Sequence, residues 1–424
     1  MRRLGWGRWR RPARRAARFS NRRRRCARCS RRCAARSSVS RRRRPTSSKG
    51  SNEAWMPAAR EDLYDIVVVG GGPAGGAAAL RAGQQKARVL LLEQEKKPRP
   101  RACAGWIGPA GMQLCKLCGL DAKRLGAAPF EGLRLWSWDL RRNTEVRDAG
   151  LRGWLIGRPA FDQALLERAA TAGVDIRFGA PVHGLELGEQ HAILQFGRGG
   201  RAAGKVVLIA DGLQSPTARL ARMSSAWQEP NLPSCMYAEG PVGKGPPGLH
   251  VAIGASRAGQ IATIVRLPNR VRLYLATRDH AAPVEQQFQM FREAACAAGL
   301  LPNAKLASPL RCRSPAGAAL DLDTHVGKRC LLVGDAGGFV AAFSHEGLYP
   351  AMKSGWLAAE TAVRALQAPL LQDALATFGG AWRGELADYL RMPNTDLALL
   401  TPLLFNNARM ARRVARAFLL GRAF

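Results

Sequence analysis

The chain has 424 residues, with 66 Lys and Arg against 31 Asp and Glu for a net charge of +35, and 47% of its residues are hydrophobic. That composition can bury a sizeable core, which rules out disorder for most of the chain, and the length suggests roughly two domains. No uninterrupted apolar run approaches the roughly 18 to 20 residues of a spanning helix, so a transmembrane protein is excluded.

The charge is uneven. Residues 1–55 carry 21 basic residues and one acid, Glu53, and so hold +20 of the net charge. The body is only moderately basic, and no specific nucleic-acid partner is expected on the strength of a tail. Residues 1–55 are rich in Arg, Ser and Ala and contain no apolar core segment, so they read as a disordered leader and not as a secretory signal. The runs Arg22–Arg25 and Arg41–Arg44 lack the apolar face of a targeting helix, which makes Met56 the expected start of the folded body. A transit peptide and a basic arm for anionic partners are the alternatives. Ten scattered cysteines suit reduced thiols, hence a cytoplasmic setting, with peripheral membrane contact as an addition. Cys26/Cys29 and Cys115/Cys118 have Cys-x-x-Cys spacing, but no second pair follows at finger-like spacing, and no metal site is expected.

The run Asp65 to Val69 reads as a buried β-branched strand, and an Ala-rich helix follows the turn formed by Gly70, Gly72, Pro73, Ala74 and Gly75. A second apolar strand, Ala87 to Glu93, ends in an acid, Glu93. Strand, Gly-x-Gly-x-x-Gly turn, helix and an acid about twenty positions on describe a dinucleotide site. Gly70 permits the tight turn, Gly72 lets the backbone approach a pyrophosphate, and Gly75 lets the helix pack on the strand. The helix N-terminal amides receive the phosphate charge, and Glu93 accepts hydrogen bonds from the adenosine ribose.

That opening alone leaves flavin and nicotinamide open. Three later segments bear on the choice: a helix opened by Gly157 and Arg158, a strand Val206 to Ala210 that breaks at Asp211 and Gly212, and a strand that ends at Gly334 and Asp335. The last is followed by His345, Glu346, Gly347 and Leu348, which start another helix. In these segments, taken in this order, the chain resembles the flavoprotein superfamily with the p-hydroxybenzoate hydroxylase fold, and within it the geranylgeranyl reductase family. The resemblance runs from about Asp65 to about Gly384. It implies an α/β protein with a Rossmann-like FAD-binding domain and an inserted β-rich substrate domain. The FAD-binding domain would be assembled from residues 60–135, 150–225 and 318–365, the substrate domain from 136–149 and 226–317, and a C-terminal helical segment from 366–424.

The resemblance also assigns residues. Asp335 would hydrogen-bond the ribityl chain, and Gly347 and Leu348 would aim a helix at the pyrimidine edge of the ring. Gly355, further along that helix, should matter far less to the ring. Arg158 and the backbone at Val182 resemble further FAD contacts, and Asp211 and Gly212 resemble a segment serving FAD and pyridine nucleotide together. Between Glu93 and the next helix, Arg101, Cys103, Ala104 and Gly105 match the family's loop beside the isoalloxazine. Cys103 shapes the pocket there or takes part in chemistry. His345 is a general-acid candidate, since its unperturbed pKa lies near neutrality, or else a satisfied loop histidine.

Family members that reduce prenyl chains show Tyr-x-Trp-x-Phe-Pro, whereas the stretch from Gly259 to Pro268 has only its Leu-Pro. Trp136 and Trp138 meet only the two tryptophans of a halogenase motif and read as strand or cavity lining. The second domain is expected to be mainly antiparallel sheet, from short runs such as Val271 to Thr277. Near the C-terminus, Ala408 to Leu420 is a basic amphipathic stretch, read as a helix capping the domain or as a peripheral anchor on anionic lipid. The implied function is an FAD-dependent oxidoreductase that takes electrons from NAD(P)H or a donor protein and reduces a hydrophobic isoprenoid, lipid or polyketide-like substrate. A monooxygenase acting on aromatic or polyketide substrates and an electron-transfer flavoprotein are the alternatives.

Overall fold

The strand Leu63–Val69 sits at the centre of a sheet because Ile66, Val67, Val68 and Val69 are apolar on both faces and both faces are covered. In this computed structural model the described residues are 62–223, 232–254, 260–302, 304–393 and 397–421. The leader, with Cys26, Cys29 and Met56, lies outside them, as does Gly259.

The central strand pairs in parallel with Val89–Glu93 on one side and Gly200–Ile209 on the other. Asp175–Phe178 extends the sheet beyond Val89–Glu93, and Cys330–Leu332 beyond Gly200–Ile209, both in parallel register. An antiparallel ladder, Val182–Leu187 with Ala192–Phe196, flanks Gly200–Ile209. Leu90, Leu91 and Leu92 are fully buried, each worth roughly 1.5 to 3 kcal/mol relative to exposure.

Helix Pro73–Gln84 starts at Gly72 with Pro at its first turn and lies between helices Arg158–Thr171 and Leu348–Ala365. Its small residues permit that. A Cβ on Gly76 would stand 2.8 Å from Cδ2 of Leu165, and one on Gly355 would overlap the carbonyl oxygen of Ala74. Gly355 is therefore a helix-packing residue against the glycine turn's own helix.

A second sheet of seven strands runs in the order Leu310–Arg313, Ser234–Pro241, Arg270–Thr277, Ile261–Arg266, Gly248–Ile253, Leu133–Ser137 and Asn143–Val146. It is antiparallel throughout except where Gly248–Ile253 runs parallel to Leu133–Ser137. The chain enters this sheet at Leu133, three residues ahead of the boundary expected at 136, because Leu133 and Leu135 alternate into its core. Trp136 belongs to that strand, with Nε1 3.2 Å from Nδ1 of His250, and Trp138 lies against Phe291.

One face of this sheet is covered by helix Val284–Ala297 through Phe288, Phe291 and Ala295. The other packs against helix Ala408–Leu420, whose Val414, Ala415, Phe418 and Leu419 are buried, with Phe418 stacked on Trp106 at 5.1 Å. The apolar face that a lipid anchor would need is thus occupied by protein. Arg409, Arg412, Arg413 and Arg416 remain on the exposed face, and Arg416 pairs with Asp148 at 3.2 Å. A three-stranded antiparallel sheet, Trp106–Ile107, Arg152–Leu155 and Ala128–Glu131, contributes to both cores through Ile107, Trp154, Trp106 and Phe130. Among the described residues no helix is long and apolar enough to cross a membrane.

Candidate active site

A cavity of about 910 Å³ lies where the carboxyl ends of the parallel strands meet the second sheet, the place where open α/β sheets bind ligands. Its wall includes Gly70, Gly72, Pro73, Ala74, Glu93, Arg101, Cys103, Ala104, Gly105, Arg158, Val182, Asp211, Gly212, Asp335, His345, Gly347 and Leu348. Of the residues assigned to cofactor binding or catalysis from the sequence, Gly75 alone stands behind that wall.

At one end is the glycine turn. Gly70 adopts φ +104°, and its amide donates to the Leu92 carbonyl at 2.8 Å. A Cβ on Gly75 would overlap the Gly70 carbonyl oxygen, whereas one on Gly72 would meet nothing within 4 Å. The helix beginning at Gly72 has no side-chain cap and no acid in its first turn, so its leading amides and positive dipole end face the cavity uncompensated. Glu93 beside it is buried. Its Oε2 accepts from the Gly71 amide at 2.5 Å and its Oε1 from the Glu95 amide at 2.8 Å, which fixes the carboxylate and leaves lone pairs for ligand hydroxyls.

In the middle, the strand ending at Leu332 delivers Asp335 into the cavity. Burial pushes its carboxyl above the usual range, against the pull of Arg158 and Arg101. Arg158 is held by a two-pronged pair with Asp162, at 3.0 Å to Oδ1 and 2.9 Å to Oδ2. Burial opposes its charge, but Asp162 outweighs that and keeps the guanidinium firmly protonated. Burial and the neighbouring Arg99 lower Arg101 without discharging it, since a guanidinium does not deprotonate in proteins. The Cys103 thiol is pushed up by burial, with Arg158 only partly offsetting this, so it is a neutral thiol at ordinary pH and packs with the first core. Its loop is tied to the second sheet at Gly105, φ +75°, because Arg272 donates to the Ile156 carbonyl directly behind that glycine. Arg272 is balanced by Glu239 at 3.4 Å, which also accepts from the Tyr237 hydroxyl at 2.5 Å.

At the far end, helix Leu348–Ala365 begins with Gly347, whose added Cβ would lie 3.8 Å from Oδ1 of Asp335. The strand-end acid and the helix start are neighbours. His345 precedes them in a left-handed conformation, φ +53°, and burial, reinforced by Arg278, lowers its pKa to about 3. It is a neutral imidazole at ordinary pH, so the imidazolium acid that its unperturbed pKa suggests is not available. Its Nδ1 and the Thr217 hydroxyl on the same wall are buried without a hydrogen-bond partner in the protein. Such orphaned groups suit a cavity that takes a polar ligand. Asp211 is engaged by its own loop, accepting from the Ser215 hydroxyl and from the Thr217 amide at 3.0 Å, while Gly212 at φ +88° faces open space.

Sequence reasoning passed over several wall residues. Glu346 is buried, accepts from the Tyr349 amide at 2.7 Å and the Tyr389 hydroxyl at 3.1 Å, and burial raises its pKa to about 7. An acid three residues before a helical amide is a capping signal that could have marked it. Tyr274, Cys312 and Arg313 reach the wall from the second sheet, which is assembled from strands distant in sequence. The buried Cys115 and Cys118 lie away from this wall, with burial raising both thiols.

The model of a family described as FAD binding domain matches residues 63–337. Digeranylgeranylglycerophospholipid reductase 1 of Methanococcoides burtonii is 25% identical over 377 residues, covering 80% of this chain and 85% of that protein. Among solved structures, a geranylgeranyl bacteriochlorophyll reductase-like protein from Thermoplasma acidophilum superposes with a TM-score of 0.70 at 16% identity, over 84% of this chain and 96% of that one. The flavin-dependent brominase Bmp2 superposes with a TM-score of 0.63 at 17% identity, over 85% of this chain and 93% of that one. At such identities the structural likeness is one of fold.

Proposed function

Since the chain belongs to this family of FAD-binding proteins and is an FAD-dependent oxidoreductase of the geranylgeranyl reductase-like kind, we propose that it uses NAD(P)H to reduce a double bond in a hydrophobic, isoprenoid-like or lipid-like substrate. The observation behind this reading is the continuity of the cavity, which runs from uncapped amides at Gly72 to Leu232 and Tyr274 of the second domain. A volume of about 910 Å³ lies in the range of cofactor sites.

The residues fit FAD. Gly72 and the helix behind it would take the pyrophosphate, Glu93 the ribose, Asp335 the ribityl hydroxyls, and the amides of Gly347 and Leu348 the pyrimidine edge. Bound there, FAD supplies the hydride chemistry. Arg158, clamped by Asp162, sets the charge around Asp335, and the Arg272 tie holds the loop from Cys103 to Gly105 at its place on the wall. Cys103 remains a neutral thiol that shapes the pocket. Saturating a double bond takes a proton as well as a hydride. Glu346, with a pKa of about 7, holds an exchangeable proton at working pH where His345 cannot. The arginines of helix Ala408–Leu420 offer a charged surface for an anionic partner, while that helix's own apolar face is taken by the second core.

The test is anaerobic. The purified flavoprotein is mixed with NADPH or NADH, flavin absorbance is followed, and an unsaturated isoprenoid lipid is added. Bleaching by the nucleotide, and recovery only when the lipid is present, is the expected result. Recovery that requires oxygen and yields hydroxylated product would replace this reading with a monooxygenase. Bleaching by a donor protein but by neither nucleotide would replace it with an electron carrier.

A further inference from the structure

We propose that Cys235 and Cys312 are a peroxide-oxidisable thiol pair, in which Cys312 is attacked from the cavity and Cys235 closes a disulfide behind it. Strands Ser234–Pro241 and Leu310–Arg313 are antiparallel, and their register sets Cys235 directly opposite Cys312. Directly opposed residues have Cα atoms about 4.5 to 5.5 Å apart, inside the range that a disulfide spans, and their side chains leave the same face. The Cys235 thiol donates to the Pro233 carbonyl at 3.6 Å.

The pair is asymmetric. Cys312 is half-buried and on the cavity wall, while Cys235 is fully buried beneath it and receives the Tyr274 hydroxyl at 3.1 Å. Arg311 and Arg313, which flank Cys312 in sequence, also line the cavity. The neighbouring Cys235 holds the Cys312 thiol below its ordinary pKa, whereas burial raises Cys235. An accessible, more acidic sulfur with a sequestered partner is the arrangement of a reactive and a resolving cysteine. Among the other described cysteines, Cys103 shares the cavity wall but burial pushes its thiol up, Cys115, Cys118 and Cys330 are buried and pushed up, and Cys296 is exposed.

The oxidant is hydrogen peroxide. The Cys312 thiolate attacks one peroxide oxygen, the O–O bond breaks, and hydroxide leaves and is protonated, giving a sulfenic acid and water. The Cys235 sulfur then attacks the Cys312 sulfur, the S–OH bond breaks, and the departing hydroxide takes the Cys235 proton as a second water. Two thiols lose two electrons to one peroxide, so the balance is dithiol plus peroxide to disulfide plus two waters. Closure places a covalent staple on the edge strand and removes the Cys235 thiol that Tyr274 now meets.

The full-length protein is exposed to stoichiometric hydrogen peroxide, alkylated and mapped by mass spectrometry. The expected product is a cross-link between the peptides carrying Cys235 and Cys312, reversed by dithiothreitol and formed on the order of tenfold faster than oxidation of Cys296. Cys235→Ser should leave Cys312 as a sulfenic acid captured by dimedone, and Cys312→Ser should leave Cys235 reduced. The folded wild type needs no variant to decide the matter. Oxidation of Cys312 no faster than Cys296, or sulfinic acid at Cys312 in place of the cross-link, would overturn the proposal.

Discussion

Replacing Gly72 by alanine separates the binding of a pyrophosphate from the folding of the turn that holds it. Gly72 has φ −75° and ψ −173°, an extended conformation open to alanine, and an added methyl meets no protein atom within 4 Å. Apoprotein stability should therefore hold or rise by about 0.4 to 1 kcal/mol, because alanine narrows the unfolded ensemble. The methyl projects instead into the space that a pyrophosphate would occupy against the helix start. Displacing the phosphate from one charge-assisted amide contact costs about 1.5 to 3 kcal/mol, which is roughly a 10-fold to 150-fold rise in the FAD dissociation constant. Gly75→Ala should do the reverse. Its Cβ would overlap the Gly70 carbonyl oxygen, so strand turn and helix must separate, at about 1 to 3 kcal/mol of overpacking or more. Fluorescence titration of the apoproteins with FAD, beside their thermal unfolding, reads both quantities. An unchanged FAD affinity in Gly72→Ala, or a Gly75→Ala protein as stable as wild type, would refute the placement of the pyrophosphate and the packing account.

Asp335→Ala should loosen FAD by on the order of tenfold through lost ribityl hydrogen bonds, and an unchanged dissociation constant would exclude that contact. Gly347→Val meets Val340 at 3.3 Å and lies beside Asp335, so it should lower the flavin reduction potential and weaken binding, as potentiometric titration would show. Gly355→Val should yield no stable holoprotein at all, because its Cβ would overlap the Ala74 carbonyl. Glu346 has a pKa near 7 when folded against an ordinary value of 4.5, so from about pH 4.5 to 7 the unfolded chain releases a proton that the folded one keeps. Stability should fall by on the order of 3 kcal/mol as pH rises through that window and level off above it. Denaturant unfolding of Glu346→Gln against wild type checks this, the variant losing that part of the slope.

The nucleotide end of the cavity was legible in the sequence because backbone geometry dictates it. A positive φ at Gly70 and a close contact at Gly75 each demand glycine, while Gly72 keeps open the space beside the helix start, and together they leave a spaced motif. Asp335 and Gly347 were legible for a related reason, since a strand end and a helix start have local signatures. Two segments offered alternatives that local signals could not choose between. His345 could be a general acid or a loop histidine, and burial leaves it neutral near neutrality. The stretch Ala408–Leu420 could cap the domain or lie on lipid, because amphipathic periodicity does not say which of them takes the apolar face, and here the second core takes it, as in a capping helix.

The second-sheet end of the cavity was not legible because no local rule sets it. Tyr274, Cys312 and Arg313 come to the wall through the order of seven strands, and Arg272 sits within an apolar strand run for the sake of a loop more than a hundred residues earlier. The same division explains how one fold can accompany different chemistries. The turn from Gly70 to Gly75 must keep its backbone path, because both its curvature and its helix contact are steric. The second sheet only has to present side chains at the cavity, so replacing Tyr274 or Cys312 changes what the wall offers without touching the glycine turn. Arg272 and Glu239 join the two halves: they fix the loop from Cys103 to Gly105 against that sheet, so the glycine-turn end and the second-sheet end share one wall. Specificity can therefore change through the second sheet while the cofactor site stays the same.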